Sequence, residues 1–182
     1  EYHADATVSI IASKLTVEGP IVKDKASFMI SGRRTYLDIL INPLIGLTNN
    51  NNPDVQTDPR YFFYDLNGKL NWRIGSKDRL YLSAFKGEDD FGIASSENYG
   101  IASSTLDFGL DWKNAIQALR WNHEWGPRLF SNTTLTHSIY EFNTGVDFTD
   151  ISENFDSTRF AALYNSGIED FAGRIDFDFA PN

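Results

Sequence analysis

Three histidines and two groups of acids are the residues best suited to chemistry, and neither set forms a catalytic pattern. His3, His123 and His137 have no ligand partner three or four residues away, so the spacing of a zinc site is missing. His123 stands between Trp121 and Trp125, beside a short turn, which suits an interfacial side chain. The acids are Glu88-Asp89-Asp90 and the spread group Asp147, Asp150, Glu153 and Asp156. Glycosidases define their carboxylate pair by spatial separation, which a linear spacing does not supply. Both groups are expected in or beside long loops as solvated charge. A sharper expectation is that outward-facing acids take up Ca²⁺, which prefers carboxylate oxygens. There is no Gly-x-Ser-x-Gly elbow, no phosphate-binding glycine loop and no dinucleotide fingerprint. Asn132-Thr133-Thr134 fits a glycosylation sequon but falls inside an expected strand. No enzyme activity, catalytic residue, metal site or resident cofactor is therefore expected.

The chain has 182 residues, no cysteine, 14% aromatic residues and a net charge of −9. Without cysteine there is neither a disulfide framework nor a thiolate metal site. The negative balance argues against a nucleic-acid partner, which needs clustered Lys and Arg. No apolar run approaches the roughly 18 residues of a transmembrane helix. The longest, Leu37 to Ile45, is broken by Asp38, Asn42 and Pro43. That test is blind to β-barrels, in which lipid-facing and lumen-facing residues alternate. Glu1-Tyr2-His3-Ala4-Asp5 lacks the basic start and apolar core of a signal peptide. The expectation is a removed leader, or a chain that starts partway through a larger protein.

The elements that must position these residues are strands. Seven are expected, near 11–21, 26–41, 60–75, 79–90, 105–125, 129–142 and 157–179, and no segment carries a sustained helical period. Short connections at 22–25, 76–78 and 126–128 alternate with long polar ones near 42–59, 91–104 and 143–156. Short turns at one end and long loops at the other are the pattern of an outer-membrane barrel.

Segment 62–74 has the clearest period. Phe62, Tyr64, Leu66, Gly68, Leu70, Trp72 and Ile74 share one face, and Phe63, Asp65, Asn67, Lys69, Asn71 and Arg73 the other. Asn67-Gly68 is a hairpin signal. A two-residue loop there would put apolar and polar side chains on one face, so a continuous strand is expected.

Turn lengths set registers. A three-residue turn at 76–78 pairs Ile74 with Leu80, Trp72 with Leu82 and Leu70 with Ala84. A turn at 126–128 pairs Trp121 with Thr133, Leu119 with Leu135, Asn122 with Asn132 and Arg120 with Thr134. A turn at Lys23-Asp24 pairs Gly19 with Phe28, Val17 with Ile30 and Lys14 with Arg33. That last pair is like-charged and needs an acid such as Glu18 nearby. In the last strand Phe171, Ile175, Phe177 and Phe179 share a face opposite Asp170, Arg174, Asp176 and Asp178.

A soluble sandwich also alternates, so length decides. A strand of about 15 residues runs roughly 50 Å, well past an apolar band about 25 Å tall even when tilted. Tyr61, Phe62, Phe63, Trp72, Trp121, Trp125, Phe130, Tyr140 and Phe142 near strand ends suit interfacial girdles. The fold class expected is an all-β, antiparallel transmembrane β-barrel segment. Barrels must close, and bacterial single-chain barrels have even strand numbers. Seven strands imply that others lie outside this chain.

Several segments in order resemble TonB-dependent outer-membrane receptors of the Bacteroidota type. They are Ala12-Ser13-Lys14-Leu15-Thr16-Val17-Glu18-Gly19-Pro20-Ile21, Lys23-Asp24-Lys25-Ala26-Ser27-Phe28 and Ser31-Gly32-Arg33-Arg34-Thr35-Tyr36, then Tyr64-Asp65-Leu66-Asn67, Asp78-Arg79-Leu80-Tyr81-Leu82-Ser83, Leu119-Arg120-Trp121-Asn122-His123 and Leu129-Phe130-Ser131-Asn132-Thr133-Thr134-Leu135. The resemblance covers roughly 11–142. It implies that 1–182 form part of one barrel domain of about 22 strands, plugged by an N-terminal domain not contained here. It further implies a Gram-negative outer-membrane location, contact with membrane lipid, coupling to the TonB complex through the plug, and uptake of a scarce or bulky nutrient. Siderophore, glycan, cobalamin and peptide classes all stay open, as does a partner surface lipoprotein.

On this reading Asp65, Asn67, Lys69, Asn71, Arg73, Arg120, Asn122, Asn132, Asp170, Arg174 and Asp176 face the lumen or plug. Leu66, Leu70, Trp72, Ile74, Leu80, Leu82, Leu119, Trp121, Phe171, Ile175 and Phe177 face lipid. Two other functions compete: a passive outer-membrane channel or structural barrel, and a soluble all-β glycan-binding module.

Overall fold

A computed structural model describes residues 1–181. Eight strands form one antiparallel sheet in strict chain order. They are β1 (His3–Val8), β2 (Ala12–Val22), β3 (Ala26–Thr35), β4 (Val55–Arg73), β5 (Asp78–Tyr99), β6 (Ala102–Gly126), β7 (Leu129–Ile151) and β8 (Ser157–Phe179), with helix α1 (Leu37–Asn51) between β3 and β4. Turns 23–25, 74–77 and 127–128 lie at one end of the sheet, called here the near end. The helix and turns 9–11, 100–101 and 152–156 lie at the far end.

Strand β4 is unbroken through Asn67-Gly68. A hairpin there would have exchanged the faces, and the alternation forbids it. The registers at two near-end turns are as expected: Gly19 opposes Phe28, Val17 opposes Ile30 and Lys14 opposes Arg33, while Leu119 opposes Leu135 and Trp121 opposes Thr133. The third differs by two residues, because Trp72 opposes Leu80. Ile74 and Gly75 both donate to the carbonyl of Asp78, at 3.0 and 3.4 Å, so the turn spans 74–77. A shift of two preserves the faces.

Four expectations fail. There are eight strands, since Ala4, Ala6 and Val8 alternate with His3, Asp5 and Thr7 to make β1. The parity argument for missing strands therefore falls, and the openness of the sheet replaces it: no ladder joins β1 to β8. The connections expected at 91–104 and 143–156 are mostly strand. Strands β5 and β6 meet over the two-residue turn 100–101, and β7 and β8 over 152–156. Lastly, 37–51 is helical, where a strand end and a loop were expected.

The helix starts where β3 is forced to stop. Thr35, 1% exposed, replaces a ladder rung with its side chain: Phe63 N–H donates to Thr35 Oγ1 at 2.8 Å, and that hydroxyl donates to the Phe63 carbonyl at 3.3 Å. Asp38 in the first turn favours the helix dipole and pairs with Arg34 at 3.5 Å. At the other end the Asn49 amide clasps the Thr57 backbone, accepting from its N–H at 3.1 Å and donating to its carbonyl at 2.9 Å. This mimics a strand partner and seats the helix on β4. Pro43 and the asparagine tail 49–52 conceal this helix from a periodicity argument.

The acid that relieves Lys14 and Arg33 is Asp65, not Glu18. Asp65 sits opposite Arg33 on β4 and accepts from its Nε at 2.7 Å. Asp65→Asn is expected to cost up to about 1 kcal/mol, and less at high salt. Urea unfolding of the full-length protein at two salt concentrations measures this.

Candidate functional site

The ladders bring the sequence-predicted residues into two sets on opposite faces. On the first face, one row crosses seven strands as Gly19, Phe28, Leu70, Leu82, Leu119, Leu135 and Gly173. The next row holds Trp72, Leu80, Trp121, Thr133 and Ile175. Leu66, Phe171 and Phe177 share this face by register. Ile74 falls just outside β4, in the turn. Gly19 is glycine for a steric reason, since the ring of Tyr2 occupies the space a side chain would need.

The opposite face carries the polar set in matching rows. Asn71, Tyr81, Arg120, Thr134 and Arg174 form one, and Arg73, Arg79, Asn122, Asn132 and Asp176 the next. Asp65, Asn67, Lys69 and Asp170 lie on this face further from the turns.

Among the described residues no apolar side chain is buried. Trp72 is 48% exposed, Leu82 46% and Phe177 62%. A soluble sandwich seals such residues between two sheets. Here there is one sheet, and its apolar face is bare.

Past the middle of the strands the two faces exchange character, which the sequence reading missed. On the first face the far half becomes charged: Glu88, Lys113 and Glu141 form one row, Asp90, Asp111 and Asn143 the next, and Asp107 faces Asp147 beyond. On the second face the far half becomes aromatic. Tyr61, Phe91 and Leu110 form a row, flanked by Phe63, Asp89, Trp112 and Phe142 on one side and by Pro59, Ile93, Phe108 and Val146 on the other. Tyr61 meets Phe91 edge to face at 6.2 Å between centroids, and Phe91 meets Phe108 at 6.2 Å. No bulge causes the exchange, because pairing runs unbroken from Asp78 to Tyr99 against β6. The signal is a change of phase within each strand. In β6, Leu119 and Trp121 are odd-numbered, whereas Phe108, Leu110, Trp112 and Ile116 are even. Tyr61, Phe63, Tyr140 and Phe142 therefore cannot share one girdle with Trp72 and Trp121.

The charged far half borders an open cleft of about 1050 Å³, lined by Arg60, Asp107, Gly109, Asp111, Asp147 and Arg159 among others. Acids directly opposite one another are unfavourable, and neighbours offset them. Arg159 grips Asp147 through two contacts, Asn143 donates to Asp111 at 3.0 Å, and Lys113 lies 3.6 Å from Glu88. Glu88, Asp89, Asp90, Asp147 and Asp150 are strand residues, not loop residues. Among the described residues no three His, Cys, Asp or Glu side chains converge to hold a metal ion.

His123 is tied into the near end. Its Nδ1 lies 2.6 Å from Asp78 Oδ1, which also accepts from Trp121 Nε1 at 3.0 Å. Its ring meets Trp125 edge to face at 4.5 Å. Trp125 Nε1 donates to Ser131 Oγ at 3.0 Å. The indole N–H groups of Trp121 and Trp125 thus each find an acceptor while both rings stay partly exposed, a combination that suits a membrane interface.

A scan of protein-family models finds no match, and a search of curated proteins finds no significant relative. Among solved structures the chain is similar to the RagAB peptide importer in its closed-closed state, with a TM-score of 0.55 at 9% identity over 98% of this chain and 28% of that chain. A likeness to the siderophore receptor PirA from Acinetobacter baumannii has a TM-score of 0.28 at 11% identity, over 100% of this chain and 40% of that one. The chain thus spans less than half the length of either. The first likeness shows the fold, an antiparallel sheet of the outer-membrane barrel kind.

Proposed function

We propose that this chain is part of the wall of an outer-membrane import receptor of the TonB-dependent kind, with a transport role and no catalytic one. The observation that carries this reading is the bare apolar face: long strands present rows of leucine and tryptophan that their own chain does not bury. Lipid covers such a face without cost, whereas water does not. The second face then lines the interior, wetted by its amides and charges. Unpaired backbone groups along β1 and β8 would cost several kcal/mol each in lipid, so further strands close the sheet.

The lengths of β5 to β8, 22 to 25 residues, correspond to roughly 70–80 Å. An apolar band about 25 Å tall accounts for only part of that length. The near half spans the bilayer, and the far half projects into water, where its charged first face belongs outside. The far aromatic surface then faces inward above the membrane. Nutrient import energised through TonB, by a plug domain outside this chain, fits this arrangement. Peptide uptake, the activity of RagAB, is one candidate class beside siderophores, glycans and cobalamins.

The test is detergent partitioning of the full-length protein, combined with quenching of single tryptophans by brominated lipid. Extraction only by detergent, heat-modifiable gel mobility and quenching of Trp72 and Trp121 but not Trp112 are expected. Recovery in the aqueous phase overturns the membrane assignment. TonB-independent solute passage through an intact barrel favours the passive channel instead.

A further inference from the structure

Past mid-length the charges of β4 to β8 are sorted by face. The cations of that half are Arg60, Lys86, Lys113 and Arg159, and all four lie on the first face. The charged residues of the second face there are Asp89, Glu97 and Asp150, all acids. Helix α1 and the far-end turns 100–101 and 152–156 carry no Lys or Arg. On β2 and β3, Lys14 and Arg33 share the row of Asp65, one row nearer the turns than Asp89.

Asp89 is set among aromatic rings. Phe63 opposes it on β4 and Trp112 on β6. Phe91 follows it on the same face of β5. Phe85 precedes it, with its ring lying over Gly87, where a side chain would strike that ring at 3.0 Å. Asp89 takes part in no ion pair among the described residues. Lys113 lies against Glu88 and Asp111 on the other face, and Arg33 is held by Asp65. A carboxylate gains nothing from ring faces, which carry partial negative charge. An organic cation gains from both groups at once. Ring faces attract it within about 6 Å, tryptophan most strongly, and the carboxylate accepts a charge-assisted hydrogen bond. The sheet already makes the first of these contacts with a cation of its own, since the Arg33 guanidinium lies 5.0 Å over the Phe63 ring. Phe91 and Trp112 are exposed.

We propose that the second face of the far half binds a small organic solute bearing an ammonium or guanidinium group, held at Asp89 among Phe63, Phe85, Phe91 and Trp112. Charge complementarity selects the cation, because an anionic solute would meet only acids along these rows. In the rows beyond, Leu110, Ile93, Phe108 and Val146 offer no side-chain hydrogen bond, and Thr144 donates its hydroxyl to the Gly109 carbonyl at 3.0 Å. A glycan or a peptide, with hydroxyls or amides in every unit, would leave most of them unpaired there. The assignment deepens the import reading above and rests on it, since that reading makes this face interior and places it above the membrane.

The experiment labels the full-length protein in detergent with fluorotryptophan and follows Trp112 by fluorine NMR, its resonance identified by its loss in Trp112→Phe. Phenethylammonium is titrated against phenethyl alcohol, a neutral probe of nearly the same shape. The cation should bind about tenfold tighter, the equivalent of about 1.4 kcal/mol. Asp89→Asn should bring it to the level of the alcohol. Asp90→Asn, which removes the same charge from the other face, should leave the preference in place. Equal binding of the two probes, no response at Trp112, or a preference that survives Asp89→Asn, each in a protein with heat-modifiable mobility, overturns this proposal and leaves the import reading standing. Quenching of Trp112 by brominated lipid puts these rings against the bilayer and overturns both.

Discussion

Arginine in place of Leu82 is expected to destabilise the assembled protein by about 2–4 kcal/mol, whereas arginine in place of Asn71 costs no more than about 1 kcal/mol. The two positions sit on adjacent strands in neighbouring rows. They differ in the face they occupy and hence in the medium proposed to cover them. Leu82 lies between Leu70 and Leu119 in the apolar row that crosses the sheet. On the proposed facing a charge there enters hydrocarbon, and the cost is greatest at mid-bilayer. Asn71 lies on the polar face opposite Tyr81 and between Lys69 and Arg73, where an added cation meets like-charge repulsion. Urea unfolding of the full-length protein in lipid vesicles, read with heat-modifiable mobility, measures both. Equal tolerance at the two positions contradicts the facing on which the import reading depends.

The second large effect is expected with the faces reversed. Phe91→Ala in the far half should cost about 1.5–3 kcal/mol. Phe91 touches Tyr61 and Phe108 edge to face and is 44% exposed, so its loss falls short of that of a fully buried ring. Its neighbour Asp90 lies on the other face, opposite Asp111. Asp90→Ala removes a repulsion and should leave stability unchanged or raise it by a few tenths of a kcal/mol. At the near end the sensitive position is on the first face; here it is on the second. If Asp90→Ala proves as damaging as Phe91→Ala, the far half does not project into water with its charged face outward.

A sandwich core would bury the same residues and predict a different pattern. Core substitutions would then be costly on one face along the whole strand, with no exchange at mid-length. The exchange lies between Ala84 and Lys86 in β5, near Ala115 and Ile116 in β6, and near Ile139 and Tyr140 in β7. The positions fall almost in one row, since Lys86 opposes Ala115 and Ala115 opposes Ile139. A boundary shared by three strands is what the proposed passage from bilayer to water requires.

Local pattern alone determined the strand type, the two-faced alternation and the registers at Lys23-Asp24 and at Pro127-Arg128. It sufficed because a strand's side-chain period is two and a short turn fixes which residues meet. It also placed the near-end apolar and polar residues in common sets, since a register error of two, as at 74–77, leaves the faces intact. The tertiary structure decided the rest. Strands β5 to β8 continue through segments as polar as loops, because each is paired along its length by its neighbours. Asp65 rather than Glu18 neutralises Arg33, because that choice belongs to the β3–β4 ladder and not to the hairpin. The stretch 37–51 becomes a helix where Thr35 closes the strand and Asn49 grips Thr57. Most of all, the shared mid-strand exchange emerges only when the strands are aligned, because a change of phase in one strand is a local irregularity, while the ladder is what puts the same change in three strands along one row.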